Sequence, residues 1–265
     1  SHFLNDDPVP GIEFNYAFTK SVLPGIKLEE VNALAKEWIR DENKVVVVMA
    51  PEKEDIELPG EERIMEILES VESMEIVAYE DKVSDEPLIP EEPVAAPVTK
   101  EMADEALGTT TWQFPNDVKV VIKPTDFKED EIRMTAFSMG GISLYEIDEL
   151  MSANFAATIA GQSGAGNFDQ VALEKKLAGK IARVNPLISG TFEGFNGSTT
   201  PEDLETMLQL LYLYFEFPRY DKSTYGSYMN RYKGFLENKA LNPSSALWDT
   251  VMVTNANYHP RVRPM

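Results

Sequence analysis

Pro87, Pro90, Pro93 and Pro97 recur every three or four residues in the middle of the chain. Proline fixes its own φ and has no amide N–H to donate, so neither a helix interior nor a central strand can run through this segment. The rest of Asp81 to Lys100 is acidic or small. The stretch reads as an extended, polyproline-like linker. It predicts a chain in two folded pieces, residues 1–80 and 108–265, joined by residues 81–107.

In the first piece, Leu28, Val31, Leu34, Ala35 and Trp38 keep the three-and-four spacing of an amphipathic helix. Pro24-Gly25 stops whatever precedes it. Val45-Val46-Val47-Val48-Met49 is a short β-branched run and predicts a buried strand, ended by Pro51. Gly60-Glu61-Glu62-Arg63 opens a second helix, with Ile64, Ile67, Leu68 and Val71 on one face. Its acidic first turn suits the helix dipole.

The second piece begins rich in strands. Thr111-Trp112-Gln113-Phe114, a Pro115-Asn116-Asp117 turn and Val118 to Lys123 predict a hairpin. After a turn around Thr125-Asp126-Phe127, Ile132 to Ser138 alternates as a strand and stops at Gly140-Gly141. A largely buried helix follows over Tyr145–Ala160, and a short one over Val171–Leu177. Arg183 to Phe195 alternates as a further strand. Thr200-Pro201-Glu202-Asp203 is a helix start, with Thr as N-cap and Pro at the first helical position. Leu204 to Phe215 is apolar nearly all round and predicts a buried helix. Two more helices follow over Ser223–Asn238 and Pro243–Val253. The fold class is α+β: an antiparallel sheet with helices packed on one face.

Charge narrows the partners. The chain carries 45 acidic and 24 basic residues, a net charge of -21, and no basic stripe. A nucleic-acid binder needs clustered Lys and Arg to neutralise phosphates, so neither nucleic acid nor a membrane surface is an expected partner. No apolar run is long enough to span a bilayer. There are no cysteines, which removes disulfides, thiolate catalysis and Cys-based zinc sites. An extracytoplasmic, periplasmic location is compatible with that composition but not argued by it. Ser1-His2-Phe3-Leu4-Asn5 has no signal-peptide character, and both ends read as cut from a longer polypeptide. Sheets left incomplete by such cuts would expose edges, which predicts self-association, with a homodimer as its simplest form.

Few residues offer chemistry. His2 and His259 are the only histidines and cannot share a helix face. His259 reads as a loop residue. Gly161-Gln162-Ser163-Gly164-Ala165-Gly166 follows a helix and lacks the Lys-Ser/Thr ending of a phosphate loop, so helix termination is its expected role. No G-x-S-x-G elbow is present, and no histidine is placed to activate a serine. Asp126, Glu129, Asp130 and Glu131 read as a solvated turn, with no calcium-loop pattern around them. Tyr212, Tyr214 and Phe215 read as core. Tyr225, Tyr228 and Tyr232 share a helix face, where packing is the default role and peptide contact the alternative.

The order of these elements, with their local sequences, resembles the insulinase/pitrilysin zinc peptidases, the inverzincins. Trp112-Gln113-Phe114-Pro115-Asn116-Asp117-Val118-Lys119-Val120 resembles the hairpin that opens each repeat of that family. Ser138-Met139-Gly140-Gly141 resembles the strand end before its first long helix. Pro201 to Pro218 resembles the helix after its Gly/Asn/Thr-containing strand. Upstream, Pro8-Val9-Pro10-Gly11-Ile12-Glu13 and Leu28-Glu29-Glu30-Val31-Asn32 resemble the tail of its second domain.

The family has four homologous α+β domains in two halves joined by a linker. The resemblance implies that residues 1–80 are the C-terminal part of domain two, 81–107 the inter-half linker, and 108–265 most of domain three, truncated at its end. It also implies a parent zinc endopeptidase acting on peptides. In the family's first domain an H-x-x-E-H helix supplies two zinc ligands, residues four apart sharing one helix face. Its Glu serves as general base on the zinc-bound water. The equivalent stretch here is Asn154-Phe155-Ala156-Ala157-Thr158, with Asn154, Ala157 and Thr158 where His, Glu and His would stand. No catalytic residue and no metal or other cofactor ligand is therefore expected in this chain. Zinc belongs to the full-length enzyme, whose remaining domains and peptide substrate are the implied partners. A non-catalytic family relative with a scaffolding role, or an unrelated α+β binding module, would fit the same residues less fully.

Overall fold

A computed structural model describes residues 2–40, 42–49, 57–75, 77, 80 and 84–264. The chain divides into two compact units, Ser1–Tyr79 and Glu80–Met265.

The first unit is helical among its described residues: α1 (His2–Asn5), α2 (Ile12–Val22), a 3-10 turn (Leu23–Gly25), α3 (Leu28–Trp38) and α4 (Glu61–Glu72). The carboxylate of Glu30 accepts the N–H of Lys27 at 3.0 Å, which closes the first turn of α3. The apolar stripe of α3, Leu28, Val31, Leu34 and Trp38, is exposed along its length. The expected strand at Val45–Met49 does not form. The segment has no regular secondary structure and its side chains are exposed, because no strand among the described residues of this unit offers its backbone a ladder partner. Helix α2 was not expected. Ile12, Phe14, Tyr16 and Phe18 alternate like a strand, yet Phe14 and Phe18 stack at 6.1 Å across one helical turn.

The second unit is mixed α+β. Strands β1 (Lys100–Asp104), β2 (Thr109–Gln113) and β3 (Lys119–Ile122) form one antiparallel sheet in that order, with Trp112 opposite both Glu101 and Val120. The expected β2–β3 hairpin is present. Asp117 takes a left-handed φ of 64° in its turn, and Phe114 N–H reaches Val118 O at 2.9 Å. Strand β1 lies in the segment read as linker. Leu88 and Ile89 of the same segment pack against the core, and Lys176 Nζ donates to Ser84 O at 3.1 Å. Prolines keep this stretch out of helices and central strands but leave its Leu and Ile free to dock.

Next come β4 (Ile132–Met139), a 3-10 turn (Gly141–Leu144), α5 (Leu150–Gln162), α6 (Gln170–Lys176), β5 (Ala182–Ile188), β6 (Phe192–Thr199), α7 (Leu204–Glu216), α8 (Lys222–Ala240) and α9 (Pro243–Asn255). The second antiparallel sheet has the order β4-β6-β5. Helices α5 and α7 lie against β5, and α7 also reaches β6. Ala182 and Val184 of β5 meet Met207, Leu210 and Leu213 of α7 and Leu173 of α6 in the core.

Three sequence boundaries move. Arg183 to Phe195 is not one strand but most of a hairpin, because Gly190 interrupts the run and Ser189 N–H closes on Phe192 O at 2.8 Å. Helix α7 begins at Leu204, since Thr200 is spent on a turn in which its carbonyl and hydroxyl accept Asp203 N–H. Helix α5 begins at Leu150, since Gly141–Leu144 is a 3-10 turn. The expected start of α8 is reinforced by Asp221, whose side chain accepts Thr224 N–H at 2.9 Å.

Candidate functional site

Helix α5 holds the positions that the resemblance places against a metal motif. Its buried residues are Leu150, Ala153 and Ile159, and these fix which way the helix is turned. Asn154 and Ala157 are half-buried and Thr158 is exposed. Asn154 and Thr158 stand one turn apart on the same side. Asn154 Nδ2 donates to Leu150 O, four residues back, at 2.8 Å. Ala157 has no polar side-chain atom, and neither an amide nor a hydroxyl is an imidazole, thiolate or carboxylate ligand for zinc. These residues do not fit the metal. Among the described residues, no group of three or more His, Asp or Glu could hold a metal ion.

The helix stops where the glycine run predicts. Ser163 caps its last turn, and its hydroxyl donates to Ile159 O at 2.8 Å. Gly164 then takes φ 85°, and a Cβ there would lie 2.2 Å from Phe168 O. The Gly161–Gly166 run is thus a helix terminus rather than a phosphate cradle.

The approach to α5 is pinned from two sides. Gly140 and Gly141 both have positive φ, 145° and 57°. Glu193 of β6 accepts Gly141 N–H with one oxygen and the hydroxyl of Ser138, at 3.2 Å, with the other. Ile142 N–H and Ser143 N–H donate to Ser189 O and Gly190 O at 2.8 and 2.9 Å. Beyond α9, the guanidinium of Arg261 donates to Ile142 O at 3.3 Å and to Tyr145 O at 2.7 Å. Neither Glu193 nor Arg261 stands out in the sequence, because each acts on a segment far away along the chain.

The remaining candidates resolve individually. Helix α8 presents Tyr228 and Tyr232 to Phe155 of α5 at 5.8 and 4.7 Å, edge to face, so packing accounts for both. Tyr225 is more exposed and leans toward Tyr220 at 6.2 Å. Tyr214 packs on Phe195 at 6.0 Å, and burial raises its phenol pKa. Phe215 also reaches Phe195, at 4.8 Å, but remains exposed, so the Tyr212–Phe215 cluster is core only in part. His259 Nδ1 accepts Arg261 N–H at 3.3 Å, a loop role. His2 lies in the other unit, its ring 2.6 Å from Asp7 O. Asp126, Glu129 and Asp130 are exposed, while Glu131 pairs with Lys128 at 3.4 Å and Arg133 at 3.2 Å. No helix among the described residues is long and apolar enough to cross a membrane.

Known proteins give this arrangement a context. No family model matches the chain. The chain is 26% identical over 215 residues to a protein of Arabidopsis thaliana described as "Zinc protease PQQL-like", a stretch covering 81% of this chain and 20% of that protein. Its fold is similar to that of the periplasmic protease PqqL from Escherichia coli, at TM-score 0.58 and 16% identity over 96% of this chain and 28% of PqqL. It is equally similar to the ferredoxin protease FusC, solved in complex with Arabidopsis ferredoxin, at TM-score 0.58 and 17% identity over 95% of this chain and 28% of that one. The chain therefore spans about a fifth of the curated relative and little more than a quarter of the solved ones. The likeness to zinc peptidases carried by the local sequences is shared with the Arabidopsis relative, and the solved proteases share the fold.

Proposed function

We propose that this chain is a non-catalytic portion of a zinc-dependent endopeptidase that acts on peptides or small unfolded proteins, and that it contributes chamber wall and hinge. Residues 1–80 would end the second of four repeats, 81–107 would join the halves, and 108–265 would form most of the third. The observation that carries this reading is the match over 81% of the chain to a zinc protease, combined with a helix whose Asn154, Ala157 and Thr158 cannot ligate the metal. Catalysis and zinc then belong to other parts of the parent polypeptide. The periplasmic neighbour supports an extracytoplasmic location, and the ferredoxin complex supports a polypeptide substrate.

Metal analysis and a peptide-hydrolysis assay on the purified chain test this. Substoichiometric zinc and no cleavage are expected, with cleavage restored only in the full-length parent. One tightly held zinc per chain, or hydrolysis by the chain alone, would overturn it. A scaffolding relative remains the second reading, because α5 looks the same in both. An H-x-x-E-H motif in the parent's first repeat decides for the peptidase.

A further inference from the structure

The sheet β4-β6-β5 has two unlike faces. Side chains alternate across a strand, and Ala182, Val184 and Met134 face the helices. Their neighbours Arg133, Arg183, Thr135, Asn185 and Phe137 therefore stand on the other face, and all of them are exposed. The register places Arg133 and Arg183 on either side of Ser198. With strands about 4.8 Å apart, the two arginines are ~10 Å apart at the backbone, between the roughly 7 Å and roughly 13 Å that separate same-face residues two and four apart in an extended chain. The next row, Thr135 and Asn185 beside Asn196, is neutral and polar. At the far end Phe137 and Phe192 meet edge to face at 6.4 Å, and Phe137 is 67% exposed.

The charge of this face runs against that of the chain. The chain has nearly two acidic residues for each basic one, yet the outward positions of the three strands hold two arginines and no Asp or Glu. The side chain of Arg133 is 81% exposed, and its Nε donates to Glu131 at 3.2 Å. Guanidinium groups recognise carboxylates in paired, planar geometry. Exposed aromatic rings next to them supply apolar area at low entropic cost.

We propose that this open face docks acidic polypeptide segments, with two carboxylates on one side of the segment taken by Arg133 and Arg183 and an apolar side chain of that same side seated on Phe137 and Phe192. That such a segment is substrate rests on the peptidase reading; the docking itself does not. Charge complementarity selects the occupant: the charged outward positions of these strands are both arginines, and the nearby carboxylate of Glu131 is already paired with Arg133 and Lys128.

Fluorescence anisotropy on the purified chain tests the docking without any need for cleavage. The probes are the fluorescein-labelled peptide Asp-Thr-Asp-Thr-Leu-Thr-Leu, which carries its carboxylates and its leucines on one side of an extended chain, and its counterpart with Lys for Asp. The acidic probe should bind more tightly than the basic one, and its binding should weaken with added salt. R133E/R183E should lower its affinity about tenfold, R133K/R183K should lower it less, and F137S/F192S should weaken it without changing the salt dependence. Circular dichroism melts of all variants should match wild type, since these side chains are exposed. The proposal fails if R133E/R183E binds the acidic probe as wild type does, if the basic probe binds more tightly, or if neither binds. It also fails if light scattering shows that the arginines hold a second copy of the chain, whose residues 1–107 carry most of the acidic excess. Loss of probe binding with cleavage intact in the full-length parent would sink the docking and leave the peptidase reading standing. Binding intact in an uncleaving parent would do the reverse.

Discussion

The carboxylate of Asp203 lies 2.9 Å from the ammonium of Lys180 and joins the entry of β5 to the entry of α7. Its second oxygen accepts the N–H of Ile181 at 2.7 Å. Asp203 is buried, at 6% exposure, so both oxygens are satisfied by protein. The Ile181 N–H first, and then the hydrogen bond from Lys180, hold its carboxyl below the usual range. The same bond raises Lys180. A carboxyl with a lowered folded-state pKa stabilises the fold above its ordinary pKa, and that contribution is lost as pH falls through the folded value. For the raised ammonium the contribution is intact below the ordinary value and lost as pH rises through the folded one. The pair is therefore at full strength through the neutral range. Asp203→Asn should lower the urea midpoint at neutral pH, and the gap from wild type should close in acid. A gap that persists in acid would show that the ionised form contributes nothing.

Asp221 makes a separate acid-sensitive contact. The Ser223 hydroxyl first, and then Thr224 N–H, hold its pKa at about 2 against an ordinary 3.8. Its share of stability is present above 3.8 and lost as pH falls toward 2. Asp221→Ala should lower the melting temperature at neutral pH and leave the N-terminal turn of α8 without its acceptor. Asp221→Ser should keep most of the wild-type stability, because serine also caps helices. Equal loss in both variants would assign the effect to charge rather than capping.

Leu213 is 2% exposed in the core of the second unit, beside Met207 and Leu210. Leu213→Ala should cost about 2–5 kcal/mol, transfer plus cavity. Urea unfolding followed by circular dichroism measures it. The exposed Leu208 on the same helix is the control, and Leu208→Ala should change the midpoint little.

The turn before α5 depends on the backbone of Gly141. Its φ is 57°, and a Cβ would lie 2.4 Å from Ser189 O. The left-handed conformation alone costs a non-glycine residue about 1–2 kcal/mol, and the contact adds to it. Gly141→Ala should therefore destabilise the second unit by more than that figure. Glu193→Ala should weaken the same turn by removing the acceptor of Gly141 N–H. Glu193→Gln, which keeps an acceptor, should be milder. Native-state hydrogen exchange at Gly141 reads both.

The parts legible in the sequence were those governed by local rules. The period of α3, the turn at Asn116-Asp117 and the glycine that ends α5 each follow from residues within one or two turns. Legibility fails where a distant partner decides. Val45–Met49 has the composition of a strand, but no ladder partner among the described residues. The alternation of Ile12, Phe14, Tyr16 and Phe18 suggests a strand, yet the segment closes as a helix. Leu88 and Ile89 sit in a proline-rich stretch, and only the exposed apolar edge of the core gives them a place. The site divides the same way. The chemistry of Asn154, Ala157 and Thr158 can be read from their side chains alone. Glu193 and Arg261, which pin the approach to that helix, act across 52 and 119 residues of chain.

If Asn154 and Thr158 occupy the two histidine positions of a metal motif, one turn of α5 should accept a metal once imidazoles are installed. Asn154→His together with Thr158→His places two imidazoles on one helix face at the spacing a single ion requires. The change removes the Asn154 bond to Leu150 O, at a cost of about 0.5–1.5 kcal/mol, which a core of this size should tolerate. The double variant should bind cobalt, seen as a visible absorption band that zinc displaces, where wild type shows none. Affinity should fall in mild acid, because both imidazoles must be neutral to ligate. Adding Ala157→Glu should not bring peptide hydrolysis, since the helix would still offer only two of the three protein ligands a catalytic zinc takes. A folded double variant that binds no metal would mean that the two side chains do not converge, and the correspondence of Asn154 and Thr158 with the motif would have to be given up.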